Sequence, residues 1–382
     1  MTVTLDNVTR VFGDGGDSIV AVDGIDLTIG DDEFVTLVGP SGCGKTTTLR
    51  CVSGLDTPTG GTITFDDRDV TDLPPQQRDI ALLFQDIALY PHMSVRDNMA
   101  YGLKIAGEPK SQRYEKVDDA AELLQITDQL DKSPASLSGG QQQRVALGRS
   151  LVRDPTVFLF DEPMSDLDAK LKRELRPVVE QVTERIGCPV LYVTHDQEEA
   201  MTLSDRVAVM NDGELEQVGR PKEVYDDPAT EFVATFIGQP TTQMFDAEVT
   251  AEVEDGYTVA VGEHEYTIER PEGSLDEHVG GPVNLGVRPQ YVEVGDPESG
   301  IRATHLLDEP LGDATHSFFE TDFGEVTVVT HADFEGEKAE YGLDIDPEQV
   351  MLFDPETGEQ IGSSTAVRRK KFTGATGSHA DD

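Results

Sequence analysis

The sequence predicts a mixed α/β domain built on a parallel sheet, followed by a smaller all-β domain. Three observations carry this reading. The chain has 382 residues, too many for one comfortable core, so two domains are expected. Up to about residue 238, short apolar runs alternate with segments whose apolar residues recur three and four apart, the succession of strand and helix that builds an α/β core. Beyond that point the segments are short, alternate with a period of two, and are separated by glycine, proline and acidic turns.

Taken in order, residues 2–11, 24–29 and 33–38 read as strands, the last an apolar run that delivers the chain into a glycine-rich loop. A helix is expected from near Lys45 to about Gly54, with Pro58, Gly60 and Gly61 forming a turn. Residues 78–84 read as a buried strand. Residues 90–155 are mostly helical in pattern, most clearly at 114–124 and 141–152. The run 157–160, ending in Asp161 and Glu162, has the composition of an interior parallel strand. An amphipathic helix at 171–186 and a buried strand at 189–194 follow. Asp212-Gly213, between 206–210 and 214–218, is a hairpin signal. The expected domains are therefore 1–238, with a helical subdomain at about 90–155, and 239–360. In the second, strands at 245–253, 257–261, 265–268, 284–287, 317–320 and 325–330 suggest a barrel or a pair of small barrels. Residues 361–382, including the basic run Arg368-Arg369-Lys370-Lys371, are expected to be a flexible tail.

The formal charge is −44, from 74 acidic and 30 basic residues. Ordinary small domains carry a net charge of roughly 2–8, so self-repulsion is severe unless salt screens it. At 1 M salt the Debye length is about 3 Å. Acids spread along the whole chain, with few lysines, resemble the composition of proteins from salt-accumulating halophiles. The same surface disfavours nucleic acid as a partner. No stretch approaches the roughly 20 apolar residues of a membrane span, and the first residues lack the basic-then-apolar order of a signal peptide. The chain is expected to stay on the side where it is made and to reach a membrane through a partner. Three cysteines, Cys43, Cys51 and Cys188, have neither metal-ligand spacing nor an even count, which suits a reducing compartment.

The chemistry is concentrated in the first domain. Gly39-Pro40-Ser41-Gly42-Cys43-Gly44-Lys45-Thr46 is a phosphate-binding loop, between an expected strand and an expected helix. Its glycines let consecutive N–H groups turn inward around phosphate, and the helix adds its amino end. Lys45 is expected to reach the β and γ phosphates of ATP, Thr46 to ligate Mg²⁺, and Thr47 to bond the α phosphate. Asp161, ending a buried strand, is the natural partner for Mg²⁺ through a bound water. Glu162 directly after it can orient or deprotonate an attacking water. His195, after the strand at 189–194, can contact the γ phosphate or hold that water. Gln85 follows the strand ending at Phe84 and can contact both Mg²⁺ and the water. Phe12 is a candidate for stacking on adenine or for a loop contact. Ser138-Gly139-Gly140-Gln141, preceded by Leu137, has no lysine after it and opens a helix. Ser138 can cap that helix, and the exposed N–H groups can receive a γ phosphate from outside. The latter site forms only when two chains close head to tail.

With these motifs the chain resembles an ATP-binding cassette (ABC) transporter ATPase of the carbohydrate-importer, maltose-type branch. Residues 39–46 match the Walker A loop, Gln85 the Q-loop, and 137–141 the signature. Val157 to Asp161 match Walker B, Glu162 the catalytic glutamate, His195 the switch histidine, and Phe12 the adenine-stacking aromatic. The D-loop reads Ser165-Asp166-Leu167-Asp168, with aspartate where relatives commonly carry alanine or asparagine. Residues 285–289, 311–313 and 351–358 resemble the transport-associated barrel domain of sugar importers. The resemblance implies a P-loop NTPase cassette with a helical subdomain and a small OB-like (TOBE-type) regulatory domain. It implies ATP and Mg²⁺ as cofactors, and a second ATPase subunit, the same chain or a close homologue, as partner. Two transmembrane permease subunits, contacted through residues 85–95, and an extracellular solute-binding protein complete the implied assembly, at the cytoplasmic face of the membrane. A sugar is the implied solute, a pentose such as xylose or arabinose or a maltose-type oligosaccharide. Polyamine, iron and glycerol-phosphate importers are the alternatives, and a soluble clamp ATPase is a more distant one.

Overall fold

A computed structural model of the chain describes residues 1–13, 18–85, 87–254, 256–269, 275–337 and 339–363. In its first part lie strands β1 (Val3–Phe12), β2 (Ile19–Ile29), β3 (Phe34–Val38), β4 (Gly60–Phe65) and β5 (Arg68–Asp69). Strands β6 (Ile80–Leu83), β7 (Val157–Asp161), β8 (Val190–Thr194), β9 (Arg206–Asn211) and β10 (Glu214–Gly219) follow. The helices are α1 (Lys45–Ser53), α2 (Val95–Ile105), α3 (Lys110–Leu123), α4 (Gly139–Leu151), α5 (Ala169–Ile186) and α6 (Gln197–Leu203).

One sheet runs β10-β9-β3-β8-β7-β6, parallel except for the β9–β10 hairpin at Asp212-Gly213; a second, antiparallel sheet runs β2-β1-β4-β5. The two-residue period of the parallel strands divides the interior in two. Phe158, Phe160, Val190 and Tyr192 join the core formed with α2, α3, α4 and α5, whereas Val157, Leu159, Leu191 and Val193 join the core shared with α1 and the antiparallel sheet. Burial on both faces explains why these strands read as continuous apolar runs.

Two local expectations change. Gly60 and Gly61, read as a turn, open β4, which pairs with β1; Gly61, with φ 77°, sits at a shift of that register, a bulge that glycine adopts without strain. The strand expected from residue 78 begins at Ile80, because Arg78 has another task. Its guanidinium is buried and donates to the carbonyls of Leu73 at 2.7 Å, Thr71 at 2.8 Å, Cys51 at 2.7 Å and Val52 at 2.9 Å. The last two carbonyls belong to the final turn of α1, where a cation complements both the unpaired acceptors and the helix dipole.

The chain divides into two units, Met1–Pro221 and Lys222–Asp382, earlier than the expected boundary after residue 238. The reason is a pair of short helices, α7 (Pro221–Asp226) and α8 (Glu231–Phe236), that sequence periodicity passed over. Arg288, buried, donates to the carbonyls of Tyr225, Ala234 and Ile237 and to the Thr242 hydroxyl, and so ties these helices to the β-rich residues. The second unit holds two antiparallel sheets around one core. One runs, in spatial order, His264–Glu269, Gly256–Val261, Gln243–Val253, Pro282–Val287, Val350–Phe353 and Gln360–Ser363. The other runs Val292–Gly295, Glu340–Ile345, Ile301–Pro310, Ala314–Thr321 and Gly324–His331. Ile361, Gly362 and Ser363 therefore end a strand, paired with Val350–Phe353, where a tail from 361 was expected. The rest of that segment, with the basic run at 368–371, lies outside the described residues.

Replacing Arg78 by leucine removes a donor from four carbonyls, of which Cys51 keeps the Gly54 N–H, and each buried group left unsatisfied costs about 1–3 kcal/mol. The variant is expected to lose at least about 3 kcal/mol of stability in denaturant unfolding of the first unit's transition, while Arg68→Leu, on the exposed strand β5, changes it by less than about 0.5 kcal/mol.

Candidate nucleotide site

Three strand ends assemble the site. Val38 of β3 stands opposite Thr194 of β8, and Asp161 of β7 stands opposite Val193, so the strands stop at nearly the same level. The residues that follow, Gly39, Glu162 and His195, therefore leave the sheet side by side.

The loop after β3 is closed by its own backbone. Gly44 has φ 108°, a left-handed conformation that glycine adopts without strain, and turns the chain into α1. A Cβ on Gly39 would run into the Met210 carbonyl oxygen, and one on Gly44 into that of Ala21. Lys45, only 4% exposed, donates its ammonium to the carbonyls of Gly39 and Pro40, each at 2.8 Å. Its charge is thus held across the mouth of the loop, in reach of an anion seated there. Ser41 and Gly42 are exposed at the tip, and Thr47 is half-buried behind Thr46. Burial pushes the Cys43 thiol up despite Lys45 nearby, so it stays neutral and serves as a small filler.

Thr46 and Asp161 meet: the hydroxyl donates to Asp161 Oδ1 at 3.1 Å. Among the described residues no cluster of three or more His, Cys, Asp or Glu could hold a metal ion. The Thr46–Asp161 pair is of another kind, two hard oxygen donors beside a phosphate loop. That fits Mg²⁺, which takes one or two protein oxygens and completes its octahedron with water and phosphate. Burial raises the Asp161 carboxyl above the usual carboxylate range; the Thr46 hydrogen bond opposes this and the charge of Glu162 adds to it. A buried acid held this way is suited to a cation that repays its desolvation.

Glu162 and His195 also meet, with Glu162 Oε2 at 2.8 Å from His195 Nδ1. Glu162 donates its backbone N–H to the Val193 carbonyl at 2.9 Å and has φ 45°. A left-handed non-glycine residue costs about 1–3 kcal/mol and persists only where its surroundings enforce it. Here the strain turns the carboxylate away from the line of β7 toward the histidine. Gln85 is exposed just beyond β6. Phe12 ends β1, partly exposed, with the Arg10 guanidinium 4.5 Å from its ring centroid on one face.

The residues at 138–141 lie at the start of α4, with a complete capping box. Ser138 Oγ accepts from Gln141 N–H at 3.4 Å, and Gln141 Oε1 accepts from Ser138 N–H at 3.1 Å. Gly140 is backed by Leu171, while Ser138 and Gly139 are exposed. The cap therefore leaves Ser138 and Gly139 open to solvent. Sequence reasoning placed Gln143 in the run that extends the signature but missed its contact: the amide donates to the Pro163 carbonyl and so joins α4 to the segment after Glu162. It also missed a polar cluster under His195 formed by Lys172, Tyr192, Asp196 and Glu199. A faint signal existed in Asp196, an N-cap residue type directly before a helix.

The ABC transporter family model matches residues 22–165. The xylose/arabinose import ATP-binding protein XacK of Haloferax volcanii is 45% identical, over 94% of this chain and 95% of its own length. This chain belongs to the ABC transporter ATP-binding family. An sn-glycerol-3-phosphate import ATP-binding protein, UgpC of Ruegeria sp. strain TM1040, is also 45% identical, over 94% of this chain and 99% of its own. Proteins of that name from other bacteria match at 42–45%. The dimeric structure of MJ0796, a bacterial ABC transporter cassette, superposes with a TM-score of 0.52 at 30% identity, covering 57% of this chain and 98% of that one. As an ABC family member the chain is an ATP-hydrolysing enzyme that works with a transporter. Among its described residues no helix is long and apolar enough to cross a membrane.

Because the folded chain holds the Asp161 proton more tightly than the unfolded one, ionising this acid costs stability as pH rises from about 3.9 toward the raised folded value. Asp161→Asn removes that cost. Without nucleotide or divalent cation, the variant is expected to melt a few degrees above the parent at pH 7, with the gap closing as pH falls through about 4. Thermal scans in molar KCl across that range check it.

Proposed function

We propose that this chain is the ATP-hydrolysing subunit of an importer for a small polar solute, a polyol phosphate of the glycerol-3-phosphate kind. The observation that supports the engine is the pairing of Thr46 with Asp161 and of Glu162 with His195 beside one phosphate loop. The support for the solute is the recurrence of sn-glycerol-3-phosphate importers among the relatives. Sugar import is the second reading, favoured by the Haloferax relative and by the salt-adapted acidity of this chain.

ATP lies with its phosphates over residues 39–46 and its adenine on the Phe12 ring. Lys45 turns from the carbonyls of Gly39 and Pro40 to the β and γ phosphates, and Thr47 bonds the α phosphate. Thr46 and Asp161, with Gln85, would hold Mg²⁺, and the ion would supply charge neutralisation on the phosphate oxygens. Glu162 orients the water and draws its proton as the water oxygen attacks the γ phosphorus and the bond to the β–γ bridging oxygen breaks. His195 fixes the Glu162 carboxylate and faces the γ phosphate. Ser138, Gly139, Gly140 and Gln141 serve the nucleotide of an opposing subunit, a second copy or a close homologue. Each ATP thus clamps two chains. Two permease subunits take up the closing motion through residues 85–95, and an extracellular binding protein delivers the solute. In this reading the chain works as a peripheral protein at the cytoplasmic face of the membrane.

Glu162→Gln is expected to reduce hydrolysis by at least about 100-fold while ATP drives the variant into dimers on size exclusion; retained turnover removes Glu162 from the chemistry. Deleting the gene in its host is expected to abolish uptake of labelled sn-glycerol 3-phosphate and leave xylose uptake intact. Loss of xylose or arabinose uptake alone would establish the sugar reading instead.

A further inference from the structure

His195 is exposed, yet the backbone on either side of it is fastened from below. Thr194 donates its hydroxyl to Glu199 Oε2 at 2.9 Å and accepts from the Asp196 N–H at 3.0 Å. Asp196 accepts from the N–H groups of Glu198 at 3.0 Å and Glu199 at 3.3 Å, capping α6. Glu199 is 1% exposed and takes a further hydrogen bond from the Tyr192 hydroxyl at 2.8 Å. Both carboxylates converge on one cation. Lys172 Nζ, from α5, lies 2.7 Å from Asp196 Oδ2 and 3.4 Å from Glu199 Oε1, an oxygen without another hydrogen-bond partner. A carboxylate this deep requires a compensating charge, and losing one partner of such a group is far more costly than losing a surface pair. Burial disfavours the Asp196 anion, but the hydrogen bond and charge of Lys172 outweigh it and hold the carboxyl below its usual range.

We propose that Lys172 is a positioning residue for ATP hydrolysis: by holding Asp196 and Glu199 together it locks the chain on both sides of His195 and keeps the imidazole against Glu162. The network meets the chain at Thr194 and Asp196, the two neighbours of His195. Loss of Lys172 therefore lets the histidine loop relax while the phosphate loop, built on β3 and α1, stays intact. The inference rests on the ATPase reading and deepens it.

The test uses the purified full chain in molar KCl. Lys172→Met is expected to lower the single-turnover hydrolysis rate by about tenfold or more, with the Kd for ATP from calorimetry changed less than about twofold. Lys172→Arg, which keeps the charge, recovers most of the rate. In a His195→Ala background Lys172→Met changes the residual rate less than about twofold, because both substitutions break one route. Should Lys172→Met not fold, Asp196→Asn keeps the helix cap, removes the charge that Lys172 holds, and is expected to give the same pattern. A rate within twofold of the parent, an effect confined to Kd, or an undiminished effect in the His195→Ala background overturns the proposal. Failure of the ATPase reading is separate: it would appear as a parent chain without turnover or a Glu162→Gln variant that keeps it.

Discussion

The site depends on where three neighbouring strands stop. Because β3, β7 and β8 are parallel and in register, Val38, Asp161 and Thr194 reach the same edge of the sheet, and each chain continuation enters a shared space. Parallel sheets present their carboxyl ends to ligands in this way because each strand must turn back through a helix, leaving the loops at that edge free to carry chemistry. The apolar runs behind those ends are buried on both faces, so the register is held by two cores at once. A shift of one residue would reverse every side chain between those cores. The positions of Lys45, Glu162 and His195 follow from that rigidity.

Around this frame the local chemistry runs against stability. Asp161 is buried enough that its ionised form is disfavoured, and Glu162 holds a left-handed backbone. Lys45 keeps its ammonium nearly enclosed, satisfied by two carbonyls and the Cys43 sulfur of its own loop. Each arrangement is comfortable once an anion and a divalent cation are present and awkward before then. A binding site built from preorganised groups behaves so, because the groups cannot relax toward one another.

Basic side chains are few, 30 against 74 acids, and the buried ones have particular partners. Arg78 gathers two carbonyls at the end of α1 and those of Thr71 and Leu73, and Arg288 gathers three carbonyls around α7 and α8 in the second unit. Lys172 joins two carboxylates beneath His195. The acidic surface meets salt; the interior keeps its cations for backbone acceptors and buried acids. Salt screening acts mainly on the exposed charges, so these internal contacts are little affected by ionic strength.

Residues 39–46 were legible as a phosphate site because the function belongs to consecutive backbone groups, and backbone geometry is set by local glycines. The strand ending at Asp161, the helix starting at Lys45 and the hairpin at Asp212-Gly213 were legible for the same reason: period and turn chemistry are local. The pairing of Glu162 with His195 was not, since 33 residues separate them and only the β7–β8 register sets their distance. Lys172 and Asp196, 24 residues apart, carried no pattern that joined them. The strand at Gln360–Ser363 and the helices at Pro221–Asp226 and Glu231–Phe236 were invisible too, being short segments stabilised by partners distant in sequence. The sequence alone determined the kind of chemistry and the strand–helix order that carries it, because both are written in neighbouring residues. Which acid meets which base was decided by the tertiary structure, because only the packing of the sheet between its two cores brings remote side chains within hydrogen-bonding distance.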